Sequence, residues 1–75
     1  MVYILDMGDG IEAVFETLEL AYNYTWDALI DDGYDPENDT YAVFKDLAES
    51  YANKNYDGFY VEDLVWCYAV DYIKE

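Results

Sequence analysis

Val2 to Asp6 alternates β-forming side chains and runs into Met7-Gly8-Asp9-Gly10. Asp-Gly is the preferred pair for a tight type I′ hairpin, because both central positions need positive φ. Beyond it, Ile11, Ala13 and Phe15 share one face and Glu12 and Glu16 the other, a period of two that predicts a strand. The chain therefore opens with a β-hairpin. The period then changes: Leu18, Tyr22, Trp26, Leu29 and Ile30 recur at helical spacing. Thr17 stands where a hydroxyl can accept from an unpaired helix N–H, and Glu19 falls in the first turn, where the helix dipole favours an acid. Gly33 is the natural terminator, since the residue after a C-cap usually needs a left-handed backbone. The loop Tyr34 to Asn38 holds the chain's one proline. A second helix is predicted from Asp39 or Thr40, with Phe44, Leu47, Ala48 and Tyr51 as its buried face, and Asn53 to Gly58 (NKNYDG) reads as a turn.

The tail, FYVEDLVWCYAVDYI, fits two templates. Val61, Leu64, Val65, Tyr68 and Tyr72 make a helical stripe; Leu64, Trp66, Tyr68, Val70 and Tyr72 make a strand face. The run Val65-Trp66-Cys67-Tyr68 and the pair Val70, Tyr72 are better strand formers than helix formers, which favours a strand added to the opening hairpin. The predicted fold is a small α+β single domain over residues 1–75, of order β-β-α-α-β. The alternative is ββααα, with a C-terminal helix.

Composition bears on how such a chain is held together. At 75 residues it sits near the lower size limit for a self-sufficient core. One cysteine, Cys67, allows no internal disulfide, and the absence of histidine removes the usual Cys/His metal clusters. Burial remains, and the sequence is 55% hydrophobic and 20% aromatic, with ten Tyr, whereas a disordered acidic chain is poor in aromatics. Folding is expected, with a homodimer as one way to hide surplus apolar surface. The start, MVYILDMGDG, lacks a basic n-region and a long apolar core, so neither a signal peptide nor a membrane span is expected. Together with an unpaired thiol, this predicts a cytoplasmic protein.

Charge excludes more. Eighteen acids against Lys45, Lys54 and Lys74, with no arginine, give −15. Direct binding to nucleic acid or to an anionic membrane depends on Lys/Arg contacts with phosphates and is disfavoured. Ser-His and Cys-His nucleophiles need a histidine, and phosphoryl transfer lacks both a glycine-rich phosphate loop and an arginine. Cys67 lies in an apolar run without a nearby base and reads as a small buried hydrophobe. A fold of this size leaves little room for a substrate cleft. A non-enzyme without catalytic residues, cofactor or resident metal is expected. Calcium is the one ion worth testing, because Asp35, Glu37, Asp39 and Asp46 fall at positions 1, 3, 5 and 12 of a twelve-residue count. Position 6, which requires glycine for the sharp turn, is Thr40. A weak calcium-binding module is therefore a minor alternative.

Within DDGYDPENDTY, Asp31 to Tyr41, five of eleven side chains are carboxylates. Asp31 and Asp32 fall in the last turn of the first predicted helix, where unpaired carbonyls already carry partial negative charge; each acid there costs roughly 0.3–1 kcal/mol at low salt. Asp27 and Asp31 add an i,i+4 like-charge pair worth about 0.2–0.5 kcal/mol in the same direction. A local rule broken without internal gain is where function is expected. Carboxylates four apart on a helix lie about 5–6 Å apart at Cβ, comparable to successive phosphates along a nucleic-acid strand. Asp27, Asp31, Asp32, Asp35, Glu37 and Asp39 place six negative charges within thirteen residues, with Tyr34 among them as a rigid aromatic anchor. By size, by a charge of −15 without Arg or His, and by the row DALIDDGYDPEND, the chain resembles the small acidic DNA-mimic inhibitors of phages and mobile elements. These are anti-restriction proteins, anti-CRISPR proteins and inhibitors of DNA-repair glycosylases. IEAVFETLELAYNY also looks like the strand-then-helix start of many short phage-encoded proteins. The resemblance implies an inhibitor in an infected or element-bearing bacterial host. Its partner would be a basic nucleic-acid-binding protein, such as a nuclease or CRISPR effector, met in the groove that normally holds phosphates.

Three other readings stand beside it. The acids can be a solvated face that keeps a tyrosine-rich miniature protein soluble, although a net charge of about 2–8 suffices for a small domain. They can be a halophilic adaptation. The module can also be an adaptor that binds through exposed tyrosines. A secondary partner-binding surface is predicted around Tyr56, Asp57, Tyr60, Glu62 and Asp63; in a C-terminal helix, Glu62 and Asp63 would instead be ordinary first-turn acids.

Overall fold

A computed structural model describes residues 1–53 and 58–71. Strands β1 (Val2–Asp6) and β2 (Ile11–Phe15) form the opening hairpin. Helices α1 (Leu18–Asp31) and α2 (Val43–Asn53) follow, then β3 (Phe59–Val61) and β4 (Val65–Val70). The four strands make one antiparallel sheet of order β2-β1-β4-β3, so the last strand returns to pair with the first. The fold is α+β, and the tail is extended as its β-branched and aromatic run favours; the C-terminal helix is excluded. The sequence reading missed β3, a three-residue strand too short to show a period. Tyr72 lies outside the described residues. Among the described residues no helix is long and apolar enough to cross a membrane.

Local chemistry explains the ends of α1. The Thr17 hydroxyl accepts from the Leu20 N–H at 3.2 Å, as expected of a capping threonine. At the other end Gly33 takes φ +101°, its N–H donates to the Ile30 carbonyl and the Tyr34 N–H to the Leu29 carbonyl, both at 3.0 Å. That pair of bonds is the Schellman closure that glycine makes cheap. Helix α2 begins at Val43, later than Asp39 or Thr40, because Asp39 acts from outside the helix. Its Oδ1 accepts from the Val43 N–H at 2.7 Å and its Oδ2 from the Lys45 N–H at 2.9 Å.

The hairpin departs from the predicted turn. Four residues connect its strands, and Gly8 and Gly10 carry the positive φ values while Asp9 does not, so the Asp-Gly pair is not a type I′ turn. Asp6 Oδ1 accepts from the Gly8 N–H at 2.8 Å and holds the reversal. A register shift follows at Leu5/Asp6: Leu5 pairs with Ala13, but Asp6 pairs with Ile11. The extra residue separates Ile11 from the face of Ala13 and Phe15 and leaves it exposed.

Both helices cover one face of the sheet. Leu5, Cys67, Val65, Phe59 and Val61 are buried there with Ala21 and Leu29 of α1 and Val43, Phe44 and Leu47 of α2. The inward residues of β4 are thus Val65 and Cys67; Trp66, Tyr68 and Val70, expected as the strand's working face, point away from the helices. The helical stripes are rotated in the same manner. Ala21, Thr25 and Leu29 form the buried line of α1, with Leu18, Tyr22 and Trp26 at its margin and Ile30 exposed. Ser50 is buried in α2 where Ala48 was expected, and Ala48 is exposed. Thr25 is tolerated because its Oγ1 donates to the Ala21 carbonyl at 2.8 Å. The turn predicted over Asn53 to Gly58 falls mostly on residues outside the description.

Gly58 leads into β3 with its backbone against β4: a Cβ there would run into the carbonyl of Cys67. Gly58→Ala is therefore expected to destabilise the fold by about 2–4 kcal/mol, through a collision with main chain that cannot swing aside. Urea unfolding followed by circular dichroism checks this; an unchanged midpoint would show that β3 shifts off β4 at no cost.

Candidate functional site

All three lysines stand at position 45 or later, so the hairpin, α1 and the loop to α2 carry acids and no basic side chain. The fold brings six of those acids together around two adjoining shallow depressions. The first is lined by Asp9 and Glu12 of the hairpin and by Tyr24, Ala28, Asp31 and Asp32 of the α1 surface and its end. The second is lined by Asp32, Tyr34, Asp35, Asp39 and Tyr41. Asp32 belongs to both, so the two depressions join at the C-terminus of α1, with hairpin acids on one side and loop acids on the other.

Different side chains play different parts in it. Asp31 and Asp32 are exposed, and no basic residue sits in the last turn of α1. Asp35 is exposed, but its Oδ1 accepts from the Glu37 N–H at 2.9 Å, and half-buried Asp39 spends both oxygens on the start of α2. Asp27 and Glu37 are exposed and line neither depression. Tyr34 is half-buried and packs against the core, so only part of its ring is available. Tyr41, which the sequence reading passed over, is 82% exposed at the rim of the second depression.

Asp9, Glu12 and Tyr24 were also missed. Tyr24, Ala28 and Asp31 share a helix face by their spacing, but nothing local says that β2 lies beside it. There the Tyr24 hydroxyl donates to Glu12 Oε2 at 2.7 Å, and its ring lies 5.3 Å from that of Phe15. The Glu12 hydrogen bond first, then desolvation and the charges of Glu12 and Asp31, raise the Tyr24 phenol above its ordinary value. Tyr24 therefore stays protonated and joins hairpin to helix inside the acidic surface.

The secondary surface divides. Tyr56 and Asp57 lie outside the described residues. Tyr60 on β3 and Glu62 in the β3–β4 turn share a hollow with Asp46 and Glu49 of α2. Asp63, in the left-handed region at φ +64°, lines a different hollow with Asp6 and Trp66. Among the described residues no three Asp, Glu or Cys side chains converge to hold a metal ion. Cys67 is fully buried, and burial pushes its thiol up to about 12. Comparison with protein-family models, curated protein sequences and solved structures finds no match to this chain.

Two outcomes follow. Reversing Asp31 and Asp32 to lysine is expected to raise stability by roughly 0.3–1 kcal/mol per site at low salt, and less at high salt, because the new cations face the negative end of α1. Thermal melts at two ionic strengths measure it, and a destabilised double variant would contradict the exposed placement of both side chains. For Cys67, the raised thiol value means the folded state favours the protonated form. That contribution is complete below the ordinary value of 9.0 and is lost as pH climbs toward 12. Near neutral pH, iodoacetamide should label native protein at least about 100-fold more slowly than unfolded chain, since reaction needs an opening event. Equal rates would place the thiol at the surface.

Proposed function

We propose that this chain is a protein-binding inhibitor whose acidic surface takes the place of a nucleic-acid backbone in the phosphate-binding groove of a basic nucleic-acid-binding protein. The observation that supports this reading is the continuity of the surface. Acids from the hairpin, the end of α1 and the following loop meet around Asp32, although they come from three separate segments. A purely solubilising charge gains nothing from such convergence, since like charges held together repel. Asp31 and Asp32 are central to it, because their carboxylates oppose the helix dipole and, among the described residues, accept no hydrogen bond that would offset the cost. Asp35 and Asp39 contribute charge while also holding the loop in shape. Binding is steered by opposite charge, fast at low salt and weak at high salt.

The adaptor reading keeps one specific support, the nearly free ring of Tyr41. In that case affinity depends on the aromatic and is almost insensitive to salt.

The test is capture of partners from a bacterial lysate at low salt, repeated with competing duplex DNA and with the Asp31→Lys/Asp32→Lys variant. The mimic reading expects a basic nucleic-acid-binding protein that is displaced by DNA, eluted by salt, and bound at least about tenfold more weakly by the variant. Capture that survives both the DNA and the double reversal, but is lost in Tyr41→Ala, would establish the adaptor in its place.

A further inference from the structure

The face of the sheet turned away from both helices carries Val14 on β2, Tyr60 on β3, and Trp66, Tyr68 and Val70 on β4, with Ile11 at one end where it pairs with Asp6. We infer that this open face is the interface of a homodimer, in which two copies pack sheet against sheet with their helices outermost.

Charge selects the occupant. In a chain of −15, the paired strand positions across this face place one acid on it, Asp6 at its end, where Asp6 accepts the Gly8 N–H and shares a hollow with Asp63 beside Trp66; the middle of the face is uncharged. A basic partner drawn to this protein finds acids only at the rim of this face, beside Tyr60 and Trp66, and none in its middle, and an anionic membrane is repelled by the molecule as a whole. A second copy presents the same uncharged rings, so an isologous pairing about a two-fold axis opposes no charges at its centre. Area agrees. Ile11, Val14, Tyr60 and Trp66 are 64, 56, 41 and 49% exposed, and together present roughly 400–500 Å², near the largest apolar patch of a typical monomer. With the half-buried side chains between them, face-to-face pairing removes on the order of 1,000–1,200 Å² in total, the lower bound for a specific interface. Sheets of this kind stack with their strands about 30° apart, the angle set by their twist. Because both acidic surfaces lie on the helix side, the dimer leaves them outward and makes the molecule two-headed.

The proposal is independent of the mimic reading, and salt separates the two. Screening weakens the repulsion between two chains of −15, so dimerisation should tighten several-fold between about 0.05 and 0.5 M salt, whereas capture by a basic groove should weaken. Sedimentation equilibrium over a concentration series is expected to show a species of twice the 8.8 kDa monomer mass. Trp66→Lys should raise its dissociation constant at least about tenfold, since an aromatic anchor is replaced by a charge that meets its own copy across the axis. Val14→Lys on β2 is the second variant, and circular dichroism selects whichever variant keeps the fold. A wild-type chain that remains at 8.8 kDa throughout the series at high salt, or a dimer that the folded variants leave intact, overturns the proposal.

Discussion

Tyr22 of α1 lies nearly flat on Tyr51 of α2, ring centres 4.1 Å apart, and Phe59 of β3 meets both rings edge-on at 6.0 and 6.3 Å. About one turn along α1, Trp26 packs on Phe44 at 4.7 Å. These contacts hold the two helices together and to the sheet, and the rest of the molecule rests on them. A chain without a disulfide, carrying −15, must find most of its cohesion in side chains that bury large areas while freezing few rotors, which is what aromatics provide. The composition that first looked merely rich in tyrosine is thus a structural necessity. It also explains why, among the described residues, the largest fully buried side chains can be as few as Phe59, Leu5, Leu29, Leu47, Thr25 and Cys67.

What could be read from the sequence divides by range. The Thr17 cap and the Gly33 closure depend on neighbours within a few residues, and both were legible. So was the extended state of the tail, where β-branched and aromatic residues outweighed an equally good helical stripe. What failed needed information from elsewhere in the fold. The displacement of Ile11 depends on the register between two strands, and the burial of Thr25 on which side of α1 the sheet covers. The inward choice of Val65 and Cys67 over Trp66 and Tyr68 depends on which face the helices cover. The same holds for the candidate site. The row from Asp31 to Asp39 was visible as a run of like charge, whereas Asp9 and Glu12 join it because the hairpin folds back beside α1.

The acids are not interchangeable once folded. Asp6, Asp35 and Asp39 satisfy backbone N–H groups that turns and helix starts would otherwise leave bare. Glu12 anchors Tyr24. Asp31 and Asp32 do neither, and they stand where the helix itself is negative. A helix end closed by glycine tolerates them because its last carbonyls are already bonded, so the closure at Gly33 is the local device that lets two unfavourable charges remain.

At the outer edge of β3 the Tyr60 N–H donates to the Ser50 hydroxyl of α2 at 2.7 Å. An edge strand with bare amides is a template for recruiting further strands, and here a helix side chain occupies one of them. At the opposite edge, β2 is interrupted by its bulge, bears Glu12 and is followed directly by Glu16. Lateral growth of the sheet into a fibril is thereby discouraged at both margins, and a chain this apolar is kept from polymerising strand by strand.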